Sequence, residues 1–115
     1  MTQNIMGFKT EINYILKSSD QQESEKLTHL DLGSTFKITK NGIRTYVLNA
    51  SIMFADYNWN ILGMCVITNS SVTCHRGQGI TELTAKVLTR FSPEESRIVS
   101  KVVLEAEKAR DTLQI

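Results

Sequence analysis

Residues 36–54 read FKITKNGIRTYVLNASIMF, and the reading of this stretch decides the fold. Phe36 and Ile38 alternate with Lys37 and Thr39. That is the period of two that sends successive side chains to opposite faces of a strand. Asn41-Gly42 follows, a pair that readily takes the positive φ angles of a two-residue hairpin turn. The run beyond it, 43–55, is long and rich in β-branched and aromatic residues. The pattern predicts a hairpin: a strand up to Lys40, a turn at Asn41-Gly42, and a long return strand with a bulge at Asn49-Ala50-Ser51.

On the N-terminal side, FKTEINYILK at 8–17 also alternates. Phe8, Thr10, Ile12, Tyr14 and Leu16 fall on one face of a predicted strand, with Lys9, Glu11, Asn13, Ile15 and Lys17 on the other. Residues 1–6 read as a flexible N-terminus. The polar stretch SSDQQESEK, with His29 just after it, reads as a mobile loop or a short solvated helical turn over 18–30.

On the C-terminal side, DYNWN at 56–60 is turn chemistry, and ILGMCVIT at 61–68 is a strand. Asn69-Ser70-Ser71 reads as a turn, VTCHR as the strand that pairs back, and Gly77-Gln78-Gly79 as another turn. ITELTAKVLTRF at 80–91 makes a last long strand. Thr81, Leu83, Ala85, Val87, Thr89 and Phe91 share one face; Glu82, Thr84, Lys86, Leu88 and Arg90 share the other.

The β pattern stops at SPEE, 92–95, a capping box with Ser92 as cap, Pro93 at the first helical position and Glu95 reaching back. Ile98, Val102, Ala106, Ala109 and Leu113 recur at helical spacing, so a helix is expected over 93–112 with that stripe as its apolar face. The expected architecture is one α+β domain over 1–115. It has about six antiparallel strands in meander order, forming a curved sheet or small barrel, plus the C-terminal helix.

With 115 residues, 41% hydrophobic, the chain can bury a core without metal or disulfide staples. Its formal net charge of +1 argues against a strongly basic nucleic-acid binder, though not against a local basic patch. Two cysteines are too few for a secreted disulfide framework. No stretch approaches the roughly 20 apolar residues of a membrane span, and MTQNIMGFK lacks the apolar segment of a signal peptide. A cytoplasmic protein without membrane contact is the expectation.

Cys74 beside His75 raises the question of a reactive or metal-binding corner. Neighbouring strand residues point to opposite faces, so the pair cannot converge on one atom. A tight turn at Ser70-Ser71 would make Cys65 and Cys74 diagonal neighbours, with His75 on the other face, which does not chelate zinc. No metal site and no cofactor is expected. Gly77-Gln78-Gly79 lacks the following helix that a phosphate-cradling loop needs. Paired carboxylates, a G-x-S-x-G elbow and an H-E-x-x-H helix are all absent from the sequence, so no catalytic residue is assigned and a non-enzyme is expected.

Phe54, Tyr57 and Trp59 concentrate aromatic residues around one loop, either to cap the core or to form a binding surface. Lys37, Lys40, Arg44, Arg76, Lys86 and Arg90 form an anion-binding patch if strands bring them together, with Tyr46 or Trp59 available for stacking on single-stranded nucleic acid. Lys86 and Arg90 are expected on one strand face.

MGFKTEIN, KNGIRTYVLNASI and ILGMCVIT together resemble a family of small uncharacterised bacterial proteins, through Gly42, Arg44, Tyr46, Leu48 and Ile52, then Ile61, Gly63 and Ile67. The resemblance implies a small β-rich fold and carries no activity or site residue. The helix from Pro93 departs from it. The functional expectation is a binding domain with Tyr57, Trp59, Arg44 and Arg76 as contact residues and an unidentified protein as partner. A small-ligand barrel and a single-stranded nucleic-acid module are the alternatives. The stripe on the last helix makes a homodimer a further expectation.

Overall fold

The computed structural model describes residues 2–5 and 8–113. The elements in chain order are β1 (Thr2–Ile5), β2 (Phe8–Asn13), β3 (Ile15–Lys17), α1 (Gln21–Thr28), β4 (Thr35–Asn41), β5 (Thr45–Tyr46), β6 (Ser51–Ala55), β7 (Ile61–His75), β8 (Gln78–Arg90) and α2 (Pro93–Leu113). The class is α+β, as expected, but the order is not a six-stranded antiparallel meander. The main sheet has five strands in the order β3-β6-β7-β8-β4, and β3 runs parallel to β6. A smaller sheet joins β1 to β2 antiparallel and β2 to β5 in parallel. Thr2–Ile5, expected to be flexible, thus forms a paired strand, while Met1 and Met6 lie outside the described residues. The side chains of Phe8, Thr10 and Ile12 lie outside them too.

The hairpin at Asn41-Gly42 does not form. Gly42 takes φ 86°, but Asn41 does not take the positive φ that a type I′ turn also requires. The β4 strand pairs instead with β8, in register from Thr35↔Lys86 to Asn41↔Ile80. Gly42 N–H then donates to the Gly79 carbonyl (2.7 Å), and the chain leaves the sheet. Seven paired positions outweigh the preference of one dipeptide. The turns expected at Ser70-Ser71 and Gly77-Gln78-Gly79 are also displaced. β7 runs straight through Ser70-Ser71, and the single turn is Arg76-Gly77, both at positive φ.

The core lies on the concave face. Leu16, Phe36, Ile38, Ile52, Phe54, Cys65, Ile67, Leu83, Ala85 and Val87 are all buried there, and Leu27 from α1 joins them. Phe36 and Phe54 meet at a ring-centroid distance of 5.6 Å, although β7 and β8 lie between their strands. In a flat sheet β3 and β4 would be about 19 Å apart, four strand spacings. Yet the Lys40 ammonium donates to the Lys17 carbonyl, and Ser19 Oγ to the Thr39 carbonyl (2.6 Å). The sheet is therefore rolled until its two edges nearly meet, and side chains, not a strand ladder, bridge the seam. It is not a closed barrel.

Residues 18–30, expected as a polar loop or helical turn, contain the eight-residue helix α1. Asp20 caps it, accepting from Glu23 N–H (2.9 Å). Glu23 in turn accepts from Ser19 N–H (2.6 Å) and, across the seam, from Thr39 N–H (3.1 Å). At the other end, Arg90 donates to the carbonyls of Leu27, Thr28 and Leu30. A bulge between Val87 and Thr89 places Arg90 there. One extra residue in β8 turns Arg90 away from the face of Lys86, contrary to the expected alternation.

The last helix starts as its capping box predicts. Ser92 N–H donates to Glu95 Oε1 (2.8 Å) and Glu95 N–H to Ser92 Oγ (3.1 Å). Its packed face is not the apolar stripe. Ser96 Oγ donates to the Ile61 carbonyl (2.5 Å), Ile61 N–H donates to Ser100 Oγ (2.8 Å), and Tyr14 donates to Glu107. Ile98 and Val102 face outward.

Candidate functional site: a basic cleft at the sheet seam

The seam opens into a cleft of about 350 Å³. Lys17, Ser18 and Ser19 line one wall, Lys40, Asn41, Arg44 and Tyr46 the other, and Trp59 the rim. The local folding explains the convergence. The end of β3 supplies Lys17. β4 carries Lys40 on its concave side, since Phe36, Ile38 and Lys40 alternate with exposed residues. Arg44 follows the departure of the chain at Gly42, where its N–H donates to Thr81 Oγ1 (3.0 Å) and its Nε to the Asn41 carbonyl (3.1 Å).

Three cationic side chains thus share one cleft, and among the described residues no carboxylate lies within 4.0 Å of them. Lys40 is only 8% exposed. Burial lowers its pKa to about 8, with Arg44 and Lys17 pushing the same way and Glu23 opposing. An ammonium in that position is short of negative charge, and an incoming anion would supply it.

The rim is a tightly held turn. Asp56 Oδ1 accepts from Asn58 and Asn60 N–H, both at 2.9 Å, and Asp56 Oδ2 from the Asn60 amide (2.9 Å). These bonds keep Trp59 at φ 66°, a left-handed conformation that a tryptophan rarely adopts. Tyr57 N–H donates to Ser24 Oγ (2.6 Å), which ties the turn to α1. Trp59 is left 54% exposed. The Lys17 ammonium sits 4.5 Å from the Tyr57 ring centroid and 5.0 Å from that of Trp59. The aromatic turn and the cations are therefore one surface.

Of the four expected contact residues, Tyr57, Trp59 and Arg44 come together here. Arg76 does not: it sits at the tip of the β7–β8 hairpin and does not line the cleft. The wider basic set does not form one patch either. Lys37 and Lys86 lie on the exposed convex face, and Arg90 is engaged at the end of α1. Tyr46, considered for stacking, is buried, and burial raises its pKa. Lys17 went unrecognised because strand alternation alone marks it as an outward, solvated residue.

Cys74 and His75 are both exposed, on opposite faces of β7 near its end. Cys65 is buried, and burial pushes its thiol up to about 12. Among the described residues no group of three His, Cys, Asp or Glu side chains could hold a metal ion. None of the described helices is long and apolar enough to cross a membrane.

No family model matches the chain, and no curated protein matches it. Among solved structures it is similar to the X-ray crystal structure of protein ytmB from Bacillus subtilis, a structural-genomics target, at 20% identity and a TM-score of 0.49. The match covers 76% of this chain and 95% of that one. This is a weak resemblance to a bacterial protein, and it gives no activity to this chain.

Proposed function

We propose that the protein is a non-catalytic cytoplasmic binding module that takes an acidic segment of a protein partner into the seam cleft. The observation that carries this is the convergence of Lys17, Lys40 and Arg44 without a carboxylate partner among the described residues, beside an exposed Trp59. Arginine and tryptophan are among the residues that contribute most at interfaces, and Lys40 beside them is buried. The cleft is open along the seam, which suits a side chain carried on a peptide. Arg44 presents the planar fork that matches a carboxylate. Both cysteines are free thiols, in keeping with a reducing compartment.

Trp59 is the only tryptophan in the chain, so its fluorescence reports the site directly. Titration with a Glu/Asp-rich peptide is expected to give a saturable change. Lys17→Met and Arg44→Ala should each weaken binding about tenfold or more, the effect of losing a charge-assisted hydrogen bond. A response to phosphate or citrate but not to the peptide would replace the protein partner with a small anion. A response confined to a single-stranded oligonucleotide would replace it with nucleic acid. A flat signal with all three would overturn the proposal.

A further inference from the structure

We propose that the outward stripe of α2 is a homodimer interface on which a second copy of this chain lays its own α2 antiparallel. The helix is held to the sheet by Ser96 and Ser100 and to the β2–β3 connection by Glu107. At about 100° per residue, Ile98, Val102 and Ala109 lie on the opposite side, with Ala106 at its edge. Ile98 is 56% and Val102 60% exposed, and both alanines are exposed as well.

Size and charge both select a second copy, and both select the antiparallel direction. Between residues 98 and 109 the bulky residues of the stripe come first and the small ones last. A two-fold axis at the level of Val103 sets Ile98 against Ala109 of the second copy, and Val102 against its Ala106. Knobs then meet holes. The same axis brings Lys101 toward the second copy's Glu105. Antiparallel packing also sets the two helix dipoles in opposition, which favours the pair. A parallel pair would place Ile98 on Ile98 and Glu95 on Glu95.

The test is sedimentation velocity over a wide protein concentration range, with circular dichroism as the check on folding. Wild type is expected to pass reversibly from monomer to dimer, and Val102→Asp to stay monomeric with an unchanged melting curve. Lys101→Glu should weaken the dimer, and adding Glu105→Lys should restore it, which separates the contact from any loss of fold. Direction is read by oxidation in a Cys74→Ser background. Ile98→Cys with Ala109→Cys should cross-link the two copies, and Ile98→Cys alone should not. A wild type that remains monomeric, a dimer that survives Val102→Asp, or cross-linking by Ile98→Cys alone would each overturn the proposal.

Discussion

The Arg90 guanidinium donates to the Leu27 carbonyl at 2.7 Å across 63 residues of sequence. It also reaches Leu30 at 2.8 Å and Thr28 at 3.2 Å. One side chain thus satisfies carbonyls that α1 leaves open at its C-terminal end, and its charge suits the negative end of that short helix. Arg90→Met keeps most of the aliphatic stem and removes all three bonds. It is expected to destabilise by about 2–3 kcal/mol, since bonds from a charged donor are among the stronger ones. Urea denaturation checks this, and an unchanged midpoint would show that water replaces the guanidinium at no cost.

Gly63 faces Arg90 across the ladder. A Cβ there would lie 2.1 Å from the Thr89 carbonyl oxygen and 3.0 Å from the Phe54 ring. The first contact is backbone and cannot rotate away. Gly63→Ala should therefore cost at least about 1–3 kcal/mol through overpacking, although alanine is otherwise the mildest substitution. Thermal unfolding of this variant beside Gly77→Ala, in a turn where a Cβ meets nothing within 4 Å, separates crowding from backbone strain.

The thiols should differ sharply in reactivity. Cys74 is exposed, whereas Cys65 is fully buried with its pKa raised to about 12 by burial. A thiol reagent at pH 8 is expected to modify Cys74 quickly and Cys65 only as fast as the protein opens. Peptide mapping after a short exposure gives the answer. Prompt labelling of Cys65 in the native state would mean that the concave core admits solvent.

Acidic-peptide binding should depend on pH through Lys40. Its folded-state pKa is lowered from 10.5 to about 8, chiefly by burial. The ammonium is therefore charged below pH 8 and lost above it, so affinity should fall as pH rises through 8. Bound carboxylate favours the charged form, so in the complex the midpoint moves upward. Stability has the opposite sign. Between about 8 and 10.5 the unfolded chain binds the extra proton, so the Lys40 contribution becomes more favourable to the folded state as pH rises. Comparing wild type with Lys40→Met at pH 7 and pH 10 isolates it: the variant's relative stability should be higher at the lower pH.

Much of the β content was legible because buried and exposed residues alternate along β4 and through most of β8. The start of α2 was legible from Ser92, Pro93 and Glu95, since a capping box is local chemistry. Pairing was not. The preference of Asn41-Gly42 for a hairpin acts over two residues, while the β8 partner of β4 lies about forty to fifty residues downstream and sets a seven-position register. The helix α1 buries only Ser24 and Leu27 and so shows no apolar period. Its cap, Asp20 with Glu23, was the signal available. The packed face of α2 was not legible, because Ser96 and Ser100 dock through hydroxyl bonds to Ile61, which hydropathy scores as solvated. Half of the candidate site was read from its aromatic residues. Lys17 and Lys40 meet only because the sheet rolls, and no local pattern encodes the roll.

The φ of 66° at Trp59 sets two selections against each other. Glycine or asparagine would occupy that position with less strain, at a difference of about 1 kcal/mol for a left-handed L-residue. A library sorted for heat resistance alone should therefore discard the indole early, whereas one sorted for capture of an acidic partner should retain it. The position where those two libraries diverge most would mark the working surface of the molecule, without any knowledge of what it holds.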